Sequence, residues 1–226
     1  MSKESTLNLF RRLEQLNGIG AALSRERDIE RLLENILEAA KTITGADGGT
    51  LYSVTEDQSA LKFEILRTDS LGIRLGGTTG KAVDLPLLPL RTPDGAPNDS
   101  LIAAHAAIHD RTVNIADAYA EEGFDFSGTR AFDQRTGYRS QSFLTVPMKN
   151  HDGELIGVLQ LLNAQDPDTG KVVPFRADHQ RVVESLASQA GIALDNQLLL
   201  DGQRQLLESF IQMIAAAIDA KSPYTG

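Results

Sequence analysis

Residues 132–163 read FDQRTGYRSQSFLTVPMKNHDGELIGVLQLLN, a polar stretch that runs into two apolar segments separated by a short polar turn. Gln141–Pro147 and Leu155–Leu162 have the length and composition of strands, and Asp152-Gly153 between them is a hairpin signal, because glycine accepts the positive φ that tight turns require. The second segment is apolar at successive positions, so both of its faces avoid water and it belongs in the centre of a sheet. Polar residues placed just ahead of such a hairpin predict a ligand pocket built on the sheet.

Upstream, Gly49–Val54 and Leu61–Leu66 also read as strands. Leu61, Phe63 and Ile65 alternate with Lys62 and Glu64, and Glu56-Asp57-Gln58-Ser59 forms the turn between the two segments. Apolar residues recur at helical spacing from Leu7 to about Ala40, interrupted near Gly18 and Gly20, with Asp28 as an N-cap and Gly45 as a stop for the second half. Residues 76–99, rich in glycine and proline, predict a long loop over one edge of the sheet. Ser100–Ile108 reads as a helix capped by Asn98 or Asp99, Thr112–Ile115 as extended, and 121–139 as an irregular loop of a length usually kept for function.

From about Asp178 to Ala220 the pattern is helical. Ile192, Leu199, Leu206, Met213 and Ala220 repeat every seven residues, a seam suited to a partner helix, while Asp201-Gly202 marks a joint between two helices. Together with the N-terminal helix, the seam predicts a parallel homodimer.

Composition narrows the chemistry. The chain has 226 residues, 41% hydrophobic and 23% charged, and no apolar run long enough to cross a bilayer, so no membrane partner is expected. The N-terminus lacks a cleavable export pattern, which predicts a cytoplasmic protein. Zero cysteines exclude disulfides, zinc thiolates, iron–sulfur clusters and any catalytic thiol. A net charge of -9 and a pI near 4.9 oppose binding to nucleic acid. His105 and His109 stand one helical turn apart, the spacing of a metal-binding pair, with Asp110 adjacent. Neither a third histidine nor a clear carboxylate ligand is legible, so no metal site is assigned. Thr78-Thr79-Gly80-Lys81 lacks the glycine spacing of a phosphate loop.

The block of TGYR, then Pro147, Lys149 and Asn150, then IGVLQLLN, together with IAAHAAIHDRTVNIADAYA at 102–120, resembles the GAF domains of cyclic-nucleotide phosphodiesterases, adenylyl cyclases and bacterial signalling proteins. The resemblance covers roughly Ile29 to Leu200. It implies an α+β fold with a central antiparallel sheet flanked by helices and a long C-terminal signalling helix. The implied divisions are 1–27 as an N-terminal helix, 28–200 as the sensory domain and 201–226 as a linker with the start of a second domain. Nucleotide-binding members hold the ligand over the sheet beneath the irregular loop. By position, that implies Thr50 on the first strand, the backbone amides of Ile102 and Ala103, Asp133, Thr136 and Ser140 in the loop, and Gln160 on the central strand. A helix start offers free amides to a phosphate, and carboxamide or carboxylate groups can read the donors of a base.

The sequence departs from the family pattern after Asn163. Ala164 replaces a lysine and His179-Gln180 replace an acidic pair, so the usual lysine–aspartate bridge cannot form, although Phe175 is present and Asp178 lies one position early. The last stretch, LLESFIQMIAAAIDAKSPYTG, resembles the opening helix of HD-GYP domains, metal-dependent phosphodiesterases of cyclic di-GMP. The expected function is regulatory. A small ligand, such as a cyclic nucleotide, is sensed here and the signal passes to an HD-GYP enzyme; the fragment itself has no catalytic residues, metal or other cofactor. The alternative is a ligand-free dimerisation scaffold, which aromatic filling of the pocket by Phe124, Phe126, Phe132 or Tyr138 would favour.

Overall fold

The structure, a computed structural model, describes residues 18–221. The expected helix over 1–27 therefore falls largely outside the described residues, as does the SPYTG end; residues 18–25 are helical. Helix α1 (Ile29–Thr44) begins where Asp28 accepts a hydrogen bond from the Arg31 amide and ends at Gly45, whose φ of 66° suits only a residue without Cβ strain. Leu32, Leu33, Ile36, Leu37 and Ala40 fall on one stripe of α1 and are all buried. Full burial of each Leu or Ile contributes about 1.5–3 kcal/mol.

That stripe packs on an antiparallel sheet of β1 (Ala46–Val54), β2 (Ala60–Thr68), β3 (Ile73–Gly76), β4 (Leu88–Pro89), β5 (Val113–Ile115), β6 (Phe143–Lys149), β7 (Leu155–Gln165) and β8 (Val172–Val173). The main order is β3-β2-β1-β7-β6-β5, with β4 beside β2 and β8 beside β7. The hairpin legible at 141–162 is thus β6 and β7, and β7 is central as its two-sided apolar character requires. Leu51, Ile65, Leu144, Val146, Leu159 and Leu161 point to the face covered by α1 and by helix α4 (Ala177–Lys221). Gly191 lets α4 approach β6 closely: a Cβ there would sit 2.3 Å from the Lys149 carbonyl oxygen.

The opposite face carries helix α2 (Ile102–His109) and helix α3 (Ser127–Thr136). Helix α3 corrects the expectation of an irregular loop over 121–139, so Asp133 and Thr136 are helical. Its sequence, SGTRAFDQRT, has no apolar stripe and no side-chain N-cap bond, and only Asp133 is buried, so tertiary contacts rather than local pattern make it a helix. The 76–99 loop contains a 3-10 turn at Gly77–Thr79 and β4, and β3 precedes it. A second correction concerns Asp201-Gly202: α4 runs through it as one helix, because a single glycine costs only about 1 kcal/mol of helix propensity.

Candidate functional site

Between the sheet and α3 lies a cleft of about 470 Å³, within the range of small-ligand sites. Its floor is a row of residues brought into register by strand pairing: Thr50 of β1 stands opposite Gln160 of β7, which stands opposite Thr145 of β6. Alternation along each strand puts these side chains on the face away from α1. Tyr52 Oη donates to Gln160 Oε1 at 3.0 Å, and Gln160 Nε2 donates to Thr145 Oγ1 at 3.0 Å. The carboxamide is therefore oriented by side chains of two neighbouring strands. Burial pushes the Tyr52 phenol well above its usual range, with the nearby Thr50 hydroxyl offsetting part of the shift.

Leu66, Phe143 and Leu162 supply apolar walls, and Phe132 and Arg135 of α3 line the roof. Arg67 also borders the cleft, but its guanidinium is paired to Glu34 of α1 at 2.7 Å, so its charge is engaged on the other side of the sheet. Asp125 lines the cleft too; the Ser127 amide donates to its carboxylate and holds its pKa below the usual range.

Of the seven residues indicated by the sequence, Thr50, Ser140 and Gln160 line this cleft. Ile102 and Ala103 bury their side chains against the sheet and do not line the cleft, although Leu101, just before α2, does. Asp133 and Thr136 are not on the wall. The Asp133 carboxylate accepts from the Ser140 amide and hydroxyl, each at 2.8 Å, and from Tyr119 Oη at 2.7 Å. Thr136 Oγ1 donates to the Phe132 carbonyl at 2.8 Å, a back-bond within α3. Tyr52 and Arg135 also line the cleft and were not among the residues indicated by the sequence. Tyr52 follows Thr50 at strand period two and was recoverable from alternation, whereas Arg135 enters only because α3 is a helix.

The four aromatic candidates for filling the cleft lie elsewhere or at its edge. Phe126 packs on Phe143, Phe124 meets His105 edge-on, and Tyr138 Oη donates to Asp47 Oδ2 at 2.6 Å; Phe132 alone of the four lines the cleft.

The departures after β7 are also accommodated. Asn163, at φ 54°, accepts from the amides of Gln141 and Ser142 and donates to the Arg139 carbonyl at 2.7 Å, tying the TGYR stretch to the end of β7. Where a lysine–aspartate bridge is absent, Asn114 Nδ2 donates to the Phe175 carbonyl at 3.2 Å and to Gln180 Oε1 at 3.0 Å, anchoring the start of α4.

No helix among the described residues is long and apolar enough to cross a membrane. The chain is 36% identical over 104 residues to dual 3',5'-cyclic-AMP and -GMP phosphodiesterase 11A of Takifugu rubripes, a match over 46% of this chain and 11% of that protein. It is 34% identical over 100 residues to the Drosophila melanogaster dual phosphodiesterase 11, over 44% of this chain and 6% of that protein. The chain thus spans a small part of these relatives. Among solved structures it is similar to the GAF domain of a Coxiella burnetii phosphoenolpyruvate-protein phosphotransferase, with TM-score 0.62, 16% identity and coverage of 87% of this chain and 99% of that one. The corresponding Acinetobacter domain gives TM-score 0.60 and 14% identity, covering 85% and 98% of the two chains. At such identities these structures share the fold alone. The GAF domain family model matches residues 28–194, and with the sheet, the roofing helices and the flanking α4 in place, the chain belongs to the GAF domain family.

Proposed function

We propose that this GAF domain senses a small polar ligand in the cleft over β1, β7 and β6, with a cyclic nucleotide as the leading class, and transmits occupancy through α4 to an HD-GYP phosphodiesterase of the kind that residues 206–226 resemble. The observation that carries the reading is the Thr50–Gln160–Thr145 row beneath a roof that holds Arg135. A base would meet the oriented Gln160 carboxamide, while a phosphate would meet Arg135. The partial match to two dual-specificity cyclic-nucleotide phosphodiesterases supports the ligand class. Asp133 and Thr136 act on the ligand through the roof they hold. A ligand that prefers one position of α3 shifts the population of that position, and a continuous helix carries the change outward.

The exposed apolar side chains of α4, including Leu199 at 57% and Leu206 at 60%, support a homodimer in which a second copy covers them. They equally suit the ligand-free scaffold reading, and thermal-shift measurements with a cyclic-nucleotide and metabolite panel separate the two. A ligand at a hundred times its Kd adds about 2.7 kcal/mol of stability. Gln160→Leu should weaken such a ligand by roughly fivefold, since a lost hydrogen bond costs about 1 kcal/mol and each 1.4 kcal/mol is tenfold. A panel in which no compound raises the melting temperature would favour the scaffold.

A further inference from the structure

The pair His105 and His109 acquires a third partner in the fold. Asp99, in the loop before α2, sets Oδ1 3.1 Å from His105 Nδ1 and 2.5 Å from His109 Nε2. The three ligand atoms lie within 4.8 Å of one another. We propose that Asp99, His105 and His109 bind one borderline first-row transition-metal ion, of which Zn²⁺ is the type.

The support for these side chains is rigid. Ala103, Ala104, Ala106 and Ala107 bury the other side of α2, so the histidines present a fixed outer face one turn apart. The rings lie 4.5 Å apart between centroids, and Phe124 braces His105 edge-on at 5.3 Å. A tetrahedral ion with ligand bonds near 2.0–2.2 Å separates its donors by about 3.3 Å, so the His105–Asp99 spacing already fits and the His109–Asp99 spacing opens by less than an ångström. A single Asp99 carboxylate oxygen faces a ring nitrogen of each of the two imidazoles, which are themselves in ring contact. A metal ion satisfies all three donors at once.

The donor set selects the metal. Two imidazoles and one carboxylate suit Zn²⁺, Co²⁺ or Ni²⁺, whereas Mg²⁺ and Ca²⁺ need oxygen ligands throughout. Asp110, the carboxylate next to the pair in sequence, is not a ligand: it is paired with Lys149 Nζ at 2.5 Å. With side-chain exposures of 28% for His105, 39% for His109 and 53% for Asp99, solvent reaches the site and water fills the remaining coordination. The position gives the ion a structural consequence. The Ser100 carbonyl accepts from the Asp125 amide at 2.8 Å and Leu101 lines the ligand cleft, so an ion that ties Asp99 to α2 fixes one rim of that cleft.

The test is calorimetric titration of the untagged full chain with Zn²⁺, with Mg²⁺ as the contrasting ion. The expected result is one Zn²⁺ per chain at micromolar or better affinity and no Mg²⁺ binding. Removing a second-shell partner typically costs ten- to a hundredfold in metal affinity, so losing a ligand in His109→Ala or Asp99→Asn should cost roughly a hundredfold or more. His151→Ala, on an exposed turn, serves as the control and should bind as the parent does. Co²⁺ should give a visible d–d absorption that His109→Ala abolishes, with circular dichroism native for each variant. Absence of Zn²⁺ binding below millimolar concentration, or full binding retained by both His109→Ala and Asp99→Asn, overturns the site.

Discussion

The Asp133 carboxylate in α3 grips Ser140 twice, accepting its backbone amide and its hydroxyl at 2.8 Å each, and so staples the roof of the cleft to the approach of β6. Tyr119 Oη adds a third bond at 2.7 Å. Asp133 is 4% exposed, so its charge is satisfied by protein donors rather than by water.

Asp133→Ala should therefore destabilise the fold by about 2–4 kcal/mol, because it orphans the Ser140 donors as well as deleting bonds to a charge. Tyr119→Phe removes one bond and should cost about 1 kcal/mol. Urea unfolding of both variants measures this; an Asp133→Ala protein with the parental midpoint would show that the staple contributes nothing.

Tyr138 should contribute to the loss of stability at alkaline pH. Burial, and then the hydrogen bond to Asp47, push its phenol far above the ordinary value of 10.0, and burial does the same for Tyr52. The folded chain keeps these protons when the unfolded chain releases them near pH 10, so the stability they contribute is complete below pH 10 and is lost as pH rises beyond it. Tyr138→Phe should be less stable at pH 7, where Asp47 loses a donor, yet decline less between pH 10 and 12 than the parent. Equilibrium unfolding across that range is the measurement, and parallel declines would contradict the assignment.

Gly191→Ala separates helix propensity from packing. Alanine gains about 1 kcal/mol in an isolated helix, but here its Cβ meets Lys149 backbone atoms at 2.3 and 2.7 Å, which cannot rotate aside. The net effect should be a loss of roughly 1–3 kcal/mol. Gly202→Ala, with no atom within 4 Å of the added Cβ, should stabilise instead. Thermal unfolding of the pair tests the contrast directly.

Leu199→Glu with Leu206→Glu should dissociate the proposed dimer, since both side chains lie on the exposed apolar run of α4 and charge there favours solvent. Sedimentation velocity at micromolar concentration should find a dimer for the parent and a monomer for the double variant. A monomeric parent would remove the dimer from the proposal.

The sheet's centre was legible because a two-sided apolar strand, an Asp-Gly turn and a polar approach all describe local constraints that neighbouring residues satisfy together. Helix α1 was legible for the same reason: Asp28, the apolar stripe and Gly45 lie within one continuous segment. The periodicity of α4 was visible, but its continuity through Asp201-Gly202 was not, because whether a glycine breaks a helix depends on the energy available from the turns around it.

The sequence alone determined the hairpin core and the lack of cysteine, and its family resemblance supplied Thr50, Ile102, Ala103, Asp133, Thr136, Ser140 and Gln160 as candidates. Tertiary structure decided what those residues face. The Tyr52–Gln160 bond joins positions 108 residues apart, and Tyr138 meets Asp47 across 91, distances over which no periodicity constrains geometry. It also folded 127–136 into a roof that has no apolar stripe of its own and carried Asp99 to the two histidines of α2. Such partners are set by strand order and chain reversal, which satisfy buried donors and acceptors only once the whole sheet is assembled.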